Sequence, residues 1–221
     1  MEAQKFDVDV LVFDLDGTLI DSKQDIADSL NWTFGQFGYE PLPMNLIEQF
    51  VGNGIAPLIN RAVNQAGHPE RETEVLKVFR ARYYEHLLDQ TMFFPGVEKT
   101  LNLLKSRYKM GLVTNKPHQF TEKIVAKLGL DSYFNGEVYG GDTLPVKKPD
   151  PASILRISSR YGVSPSRVLM VGDSSVDVMT GKNAGSFTVG VTYGFRSVEE
   201  LIEAKPDAMI DRFEQLTGLL A

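Results

Sequence analysis

Six short apolar runs recur along this chain, at Val8–Phe13, Lys109–Thr114, Glu137–Tyr139, Arg167–Gly172, Phe187–Val191 and Ala208–Ile210. From the second onward, helical patterns separate them. That alternation predicts an α/β fold, a doubly wound, Rossmann-like parallel sheet with helices on both faces. In the predicted helix Gln119–Leu128, for example, Phe120, Ile124, Val125 and Leu128 fall on one stripe, with Pro117 at its entry and Gly129 just past its end. Between the first run and the second lies an insert of about seventy residues with no strand signal. It carries three helical stripes instead: Ile26, Leu30, Phe34 and Phe37; Ile55, Leu58, Ile59, Ala62, Val63 and Ala66; Val75, Leu76, Phe79, Tyr83 and Leu87. Such stripes pack on one another as a small bundle. The expected organisation is a discontinuous core, residues 1–18 and 89–221, with a helical cap at residues 19–88.

The first run ends in chemistry. Val10-Leu-Val-Phe-Asp-Leu-Asp-Gly-Thr-Leu19 sets Asp14 and Asp16 two residues apart at a strand end, where alternate residues point the same way. Like charges resist joint ionisation and burial, so the pair calls for a compensating cation, and hard oxygen ligands suit Mg2+. A polar turn after a core strand is the competing reading. Three later segments add polar groups near other strand ends: Val113-Thr-Asn115, Lys147-Lys-Pro-Asp-Pro151 and Val171-Gly-Asp-Ser-Ser-Val-Asp177. In open parallel sheets the ligand sits beyond the carboxyl ends of the strands, and Asp14, Thr114 and Asp173 fall at that end.

Taken in order, these four motifs resemble those of the haloacid dehalogenase superfamily, over nearly the whole chain. Most of its members are Mg2+-dependent phosphatases, and a helical insertion just after the first motif resembles its C1 cap. The resemblance implies the strand order third-second-first-fourth-fifth, with Asp14 beside Asp173. It implies that Asp14 attacks phosphorus to form an aspartyl phosphate, and that Asp16 protonates the leaving oxygen and then deprotonates water. Asp14, Asp16 and Asp173 would hold the metal. An acid at position 16 favours phosphoryl transfer over dehalogenation, which has no alkoxide to protonate. Thr114 and Lys148 would engage the phosphoryl group; Lys147 is the alternative, but Lys148 directly precedes Pro149 as in the family motif. Backbone N–H groups of Gly17 and Thr18 would also bind phosphate, with Ser174 assisting from a helix start. Asp177 would orient Lys148 or a metal-bound water, unless it only favours the helix dipole. Asn115 would brace Asp14 or its loop.

Specificity is expected from the cap. In Phe50-Val-Gly-Asn-Gly54, two glycines around Asn53 mark a tight loop opening a helix, whose first N–H groups suit an anion. Asn53, Gly54, Arg61 and Lys116 are the candidate specificity residues, the two cations for a carboxylate; a solvated helix face is the other reading of Arg61. This loop, with Thr114-Asn-Lys-Pro117, resembles the phosphoglycolate phosphatase branch, which implies hydrolysis of 2-phosphoglycolate to glycolate. A pyrophosphatase or a β-phosphoglucomutase-like enzyme on the same scaffold is the alternative. A receiver-like signalling module shares the aspartyl phosphate chemistry, but its phosphorylated Asp ends a later strand and it has no cap. His68, His86 and His118 have no metal-ligand spacing.

Composition sets the remaining limits. With 43% hydrophobic residues among 221, the chain can build a real core. A net charge of −6 offers no general attraction for nucleic acid or anionic membrane. The absence of cysteine excludes disulfides and thiolate metal sites and fits a cytoplasmic setting. The start, Met1-Glu-Ala-Gln-Lys-Phe-Asp7, has no basic region followed by an apolar one, so no signal peptide is expected. No apolar run has bilayer-spanning length. The expected partner is a small phosphorylated metabolite, taken by a monomer or a homodimer.

Overall fold

The computed structural model describes residues 5–221. Residues 1–4, which begin both the expected core segment and the stretch read for a signal peptide, lie outside the described residues. In chain order the strands are β1 (Val10–Phe13), β2 (Ile20–Asp21), β3 (Met92–Phe93), β4 (Lys109–Val113), β5 (Val138–Tyr139), β6 (Val168–Gly172), β7 (Phe187–Val191) and β8 (Ala208–Ile210). All but β2 and β3 join one parallel sheet, in the order β5-β4-β1-β6-β7-β8. This is the order expected above, with one further strand at the edge. Strand β1 lies at the centre because it is apolar on both faces. Leu11 and Phe13 enter one core, and Val10 and Val12 enter the other, as in parallel sheets covered on both sides.

The helices are α1 (Lys23–Gln36), α2 (Met44–Phe50), α3 (Ile55–Gln65), α4 (Glu72–His86), α5 (Val97–Leu104), α6 (His118–Lys127), α7 (Asp131–Phe134), α8 (Ala152–Tyr161), α9 (Ser175–Ala184) and α10 (Val198–Ala204). Ile154 and Ile157 of α8 cover one face of the sheet with Ala184 of α9, while Val97 and Leu101 of α5 join the opposite core. The stripes of α1, α3 and α4 bury Leu30, Phe34, Ile59, Val63, Val75 and Phe79 against one another. Helix α2 carries only one buried residue, Ile47, and so leaves no stripe to read in the sequence.

Strands β2 and β3 form an antiparallel ribbon, Ile20 opposite Phe93 and Asp21 opposite Met92. It sets the entry to the helical segment beside its exit. Buried Asp25, in the first turn of α1, fastens the pair: its carboxylate accepts from Gln90 N–H (2.9 Å), Thr91 N–H (2.9 Å) and the Thr91 hydroxyl (2.7 Å). No helix among the described residues is long and apolar enough to cross a membrane.

Candidate active site

The register of the three central strands assembles the site. Phe13 lies opposite Leu112 on β4 and Val171 on β6. Asp14, Thr114 and Asp173 therefore leave the sheet at the same edge, and Asp14 N–H donates to Val171 O (3.0 Å). Carboxylate oxygens of Asp14, Asp173 and Asp177 all lie within 4.8 Å of one another, and all three residues are buried. Lys148 enters this group, its Nζ 2.7 Å from Asp14 Oδ1 and 2.6 Å from Asp177 Oδ1. Asp177 is held in turn by the start of α9, where Ser174 and Asp177 form a reciprocal capping box. The second carboxylate oxygen of Asp177 accepts from the Ser174 hydroxyl (2.6 Å) and N–H (3.1 Å).

Three buried acids face one buried lysine, and the electrostatics follow. Burial pushes the Asp14 carboxyl up to about 7, against the pull of Lys148. Asp173 is raised first by burial and then by the charges of Asp177 and Asp14. Burial alone would lower Lys148, but Asp14 and Asp177 together hold it above the ordinary lysine range. The Asp14–Thr18 turn closes over Asp173. Gly17 has φ +86°, and a Cβ there would collide with the Asp173 carboxylate. Phe195 N–H donates to Asp173 Oδ2 (2.7 Å) from the other side.

Asp16 takes a separate direction. Its side chain accepts from Lys116 Nζ (2.9 Å to each oxygen) and from the Ser22 hydroxyl (2.5 Å), so its carboxylate stands apart from the Asp14, Asp173 and Asp177 cluster expected to share it. Lys116 Nζ also donates to the Tyr83 hydroxyl (2.7 Å), which α4 brings down from the helical segment. Burial raises the Tyr83 phenol to about 12, opposed by Lys116. Neither Tyr83 nor Ser22 is marked by sequence reasoning. Tyr83 reads there only as a helix-stripe residue.

The other candidate residues take up different places around the site. Asp14, Asp16, Thr114 and Lys116 line one cavity with Ile26, Val51, Gly52, Gly54, Ile55, Leu58, Phe79 and Tyr83. Its free volume of about 30 Å³ suits about one water molecule. The Gly17 and Thr18 N–H groups do not face it for phosphate. Gly17 donates to Ile20 O (2.9 Å) and Thr18 to Leu15 O (3.3 Å), because closing so tight a turn consumes them. Arg61 is not at the cavity either: its Nη1 donates to Gln49 O (3.4 Å) and Phe50 O (3.3 Å) at the end of α2. A helix C-terminus offers unpartnered carbonyls with partial negative charge, and a guanidinium on the next helix is drawn to them. Asn53 is outside the cavity lining, and its carbonyl accepts from Lys147 Nζ (3.0 Å). Asn115 bridges Gly52 O (3.2 Å) and Lys148 O (3.3 Å) through Nδ2. His118 pairs with Glu122 on α6, and His86 with Asp89, with no shared metal geometry.

A family model for haloacid dehalogenase-like hydrolases matches residues 11–191. The chain is 38% identical over 216 residues to a phosphoglycolate phosphatase of Haemophilus influenzae, covering 94% of this chain and 96% of that protein. It is 37% identical to a phosphoglycolate phosphatase of Psychrobacter arcticus, covering 97% and 96%. Its fold superposes with a TM-score of 0.90 on the crystal structure of a predicted phosphoglycolate phosphatase from Haemophilus somnus, 32% identical, covering 96% of this chain and 97% of that one. The chain belongs to the haloacid dehalogenase-like hydrolase family. Within that family it is a phosphatase, a phosphoric monoester hydrolase.

Proposed function

We propose that the chain hydrolyses 2-phosphoglycolate to glycolate with Mg2+, through an aspartyl phosphate on Asp14. The observation that carries the reading is the buried cluster of Asp14, Asp173 and Asp177 around Lys148, which reaches through Asp14 a cavity also lined by Asp16, Thr114 and Lys116. Three carboxylates against one ammonium leave an excess of negative charge that fits a hard divalent cation. Asp14 and Asp173 would hold it, while Asp177 stays tied to Lys148 and Ser174. Bound there, Mg2+ would supply the positive charge that offsets repulsion between a carboxylate and an anionic phosphoryl group.

Asp14 attacks phosphorus, its carboxylate oxygen gaining the P–O bond as the ester P–O bond breaks. Asp16 gives a proton to the leaving oxygen and later takes one from the water that releases phosphate. Lys148 and the Thr114 hydroxyl stabilise the charge on the transferring group. Lys116 is the cation at the cavity wall for the substrate carboxylate, a role Arg61 does not share given its contacts. We also propose the division into core, residues 1–18 and 89–221, and cap, residues 19–88, with the β2–β3 ribbon as hinge. Motion of the cap about this hinge would admit substrate to the cavity and then exclude water from it. The substrate choice is supported by relatives named phosphoglycolate phosphatase along nearly the whole chain.

The test is kcat/KM with Mg2+ for 2-phosphoglycolate beside pyrophosphate, β-glucose 1-phosphate and a nucleotide monophosphate. A preference of about a hundredfold, or about 2.7 kcal/mol of transition-state binding, supports the named substrate. Similar rates across the panel keep the phosphatase and retract 2-phosphoglycolate.

A further inference from the structure

Every main-chain carbonyl from Gln49 to Asn53 accepts a hydrogen bond from a side chain. Arg61 serves Gln49 and Phe50 from within the helical segment. The other donors come from the sheet side. Arg196, in the loop after β7, gives Nη1 to Gln49 O (2.9 Å) and Nη2 to Val51 O (2.6 Å). Asn115 gives Nδ2 to Gly52 O, and Lys147 gives Nζ to Asn53 O. A guanidinium spans two carbonyls as a rigid fork, which an ammonium cannot do.

The two glycines fit this contact. Gly52 has φ +109° and Gly54 φ +93°. A Cβ on Gly52 would stand 3.1 Å from Arg196 Nη2, and one on Gly54 2.9 Å from the Asn115 carbonyl oxygen. The Gly-Asn-Gly run thus lays bare main chain directly on the donors. The Arg196 loop is itself fixed to the site: Phe195 N–H binds Asp173, and the Tyr193 hydroxyl donates to Thr18 O (2.8 Å).

We propose that Arg196 is a positioning residue which, helped by Lys147, latches the cap loop shut over the Asp14 cavity. The proposal rests on the division into core and cap given above. Because the latch grips backbone, it favours closure for any substrate and selects among none. Val51, Gly52 and Gly54 of this loop line the cavity. Losing the latch lowers the closed fraction, and apparent affinity falls by that fraction.

The chain has no cysteine, so a Lys77→Cys, Glu203→Cys pair at exposed positions carries two spin labels for a cap-to-core distance. With Mg2+ and orthovanadate, the distances should narrow to the short population. Arg196→Ala should shift them to longer values and raise KM about tenfold or more, by one common factor for 2-phosphoglycolate and p-nitrophenyl phosphate, with kcat less affected. Arg196→Lys should recover part of the loss, and Lys147→Ala should produce a smaller shift in the same direction. If Arg196→Ala does not fold, Arg196→Lys and Lys147→Ala carry the test. Unchanged distances and KM within about twofold in the folded variants overturn the latch alone, provided the parent pair shows a moving cap. A single distance in the parent pair, with or without vanadate, overturns the moving cap and the latch together.

Discussion

Asp14 sits where its own charge is resisted. It is buried with Asp173 and Asp177 and has one lysine to share with them. Asp14→Asn keeps the shape and removes one like charge. Turnover should vanish with the nucleophile, while the Mg2+-free protein at pH 8 should melt higher, by about 2–4 °C for each kcal/mol of repulsion relieved. Calorimetry beside a phosphate-release assay checks both; residual wild-type turnover would remove Asp14 from the nucleophile's role. Which polar groups meet at the strand ends is legible in the sequence, because apolar runs stop at them and a parallel sheet gathers such ends on one edge. Where each group points is not. The Gly17 and Thr18 N–H groups belong to their own turn, Asp16 belongs to Lys116, and Arg61 belongs to the end of α2. Each partner is chosen by geometry that only the assembled fold supplies.

At the scale of elements, the main strands and long helices are legible because burial imposes a period on them. Strands β2 and β3 have two residues each and show none, and α2 buries too little to leave a stripe. Asp25 is equally silent. In sequence it is an acid in a helix first turn, yet its partners lie 65 and 66 residues away. A buried carboxylate accepting two N–H groups and a hydroxyl is a strong fastening, and removing it strands those donors. Asp25→Ala should therefore destabilise the protein by about 2–4 kcal/mol, read from urea unfolding. Hydrogen exchange at Gln90 and Thr91 should accelerate more than at β1. Uniform acceleration across the sheet would mean that Asp25 supports the global fold and not the junction of α1 with the return segment.

For the whole molecule, the acid cluster links metal, pH and stability. The Asp14 carboxyl has an ordinary value of 3.8 and rises to about 7 in the folded chain, chiefly through burial. Between those values the folded protein holds a proton that the unfolded chain has released. Its stabilising effect is thus complete below pH 4 and lost as pH rises through about 7. Asp173, raised in the same sense, adds to the loss. A divalent cation on the ionised carboxylates reverses the trend, and because it competes with protons it binds better at high pH. At about a hundred times its Kd the gain is about 2.7 kcal/mol, which for a chain of this size is about 5–10 °C. Melting temperatures with and without Mg2+ at pH 5 and pH 8 should therefore show the larger Mg2+ increment at pH 8. Asp14→Asn should shrink the difference between the two increments, since one of the competing protons is gone. Equal increments at both pH values in the parent protein would mean that the metal does not bind at the Asp14 and Asp173 carboxylates, and the Mg2+ assignment to this cluster would fall.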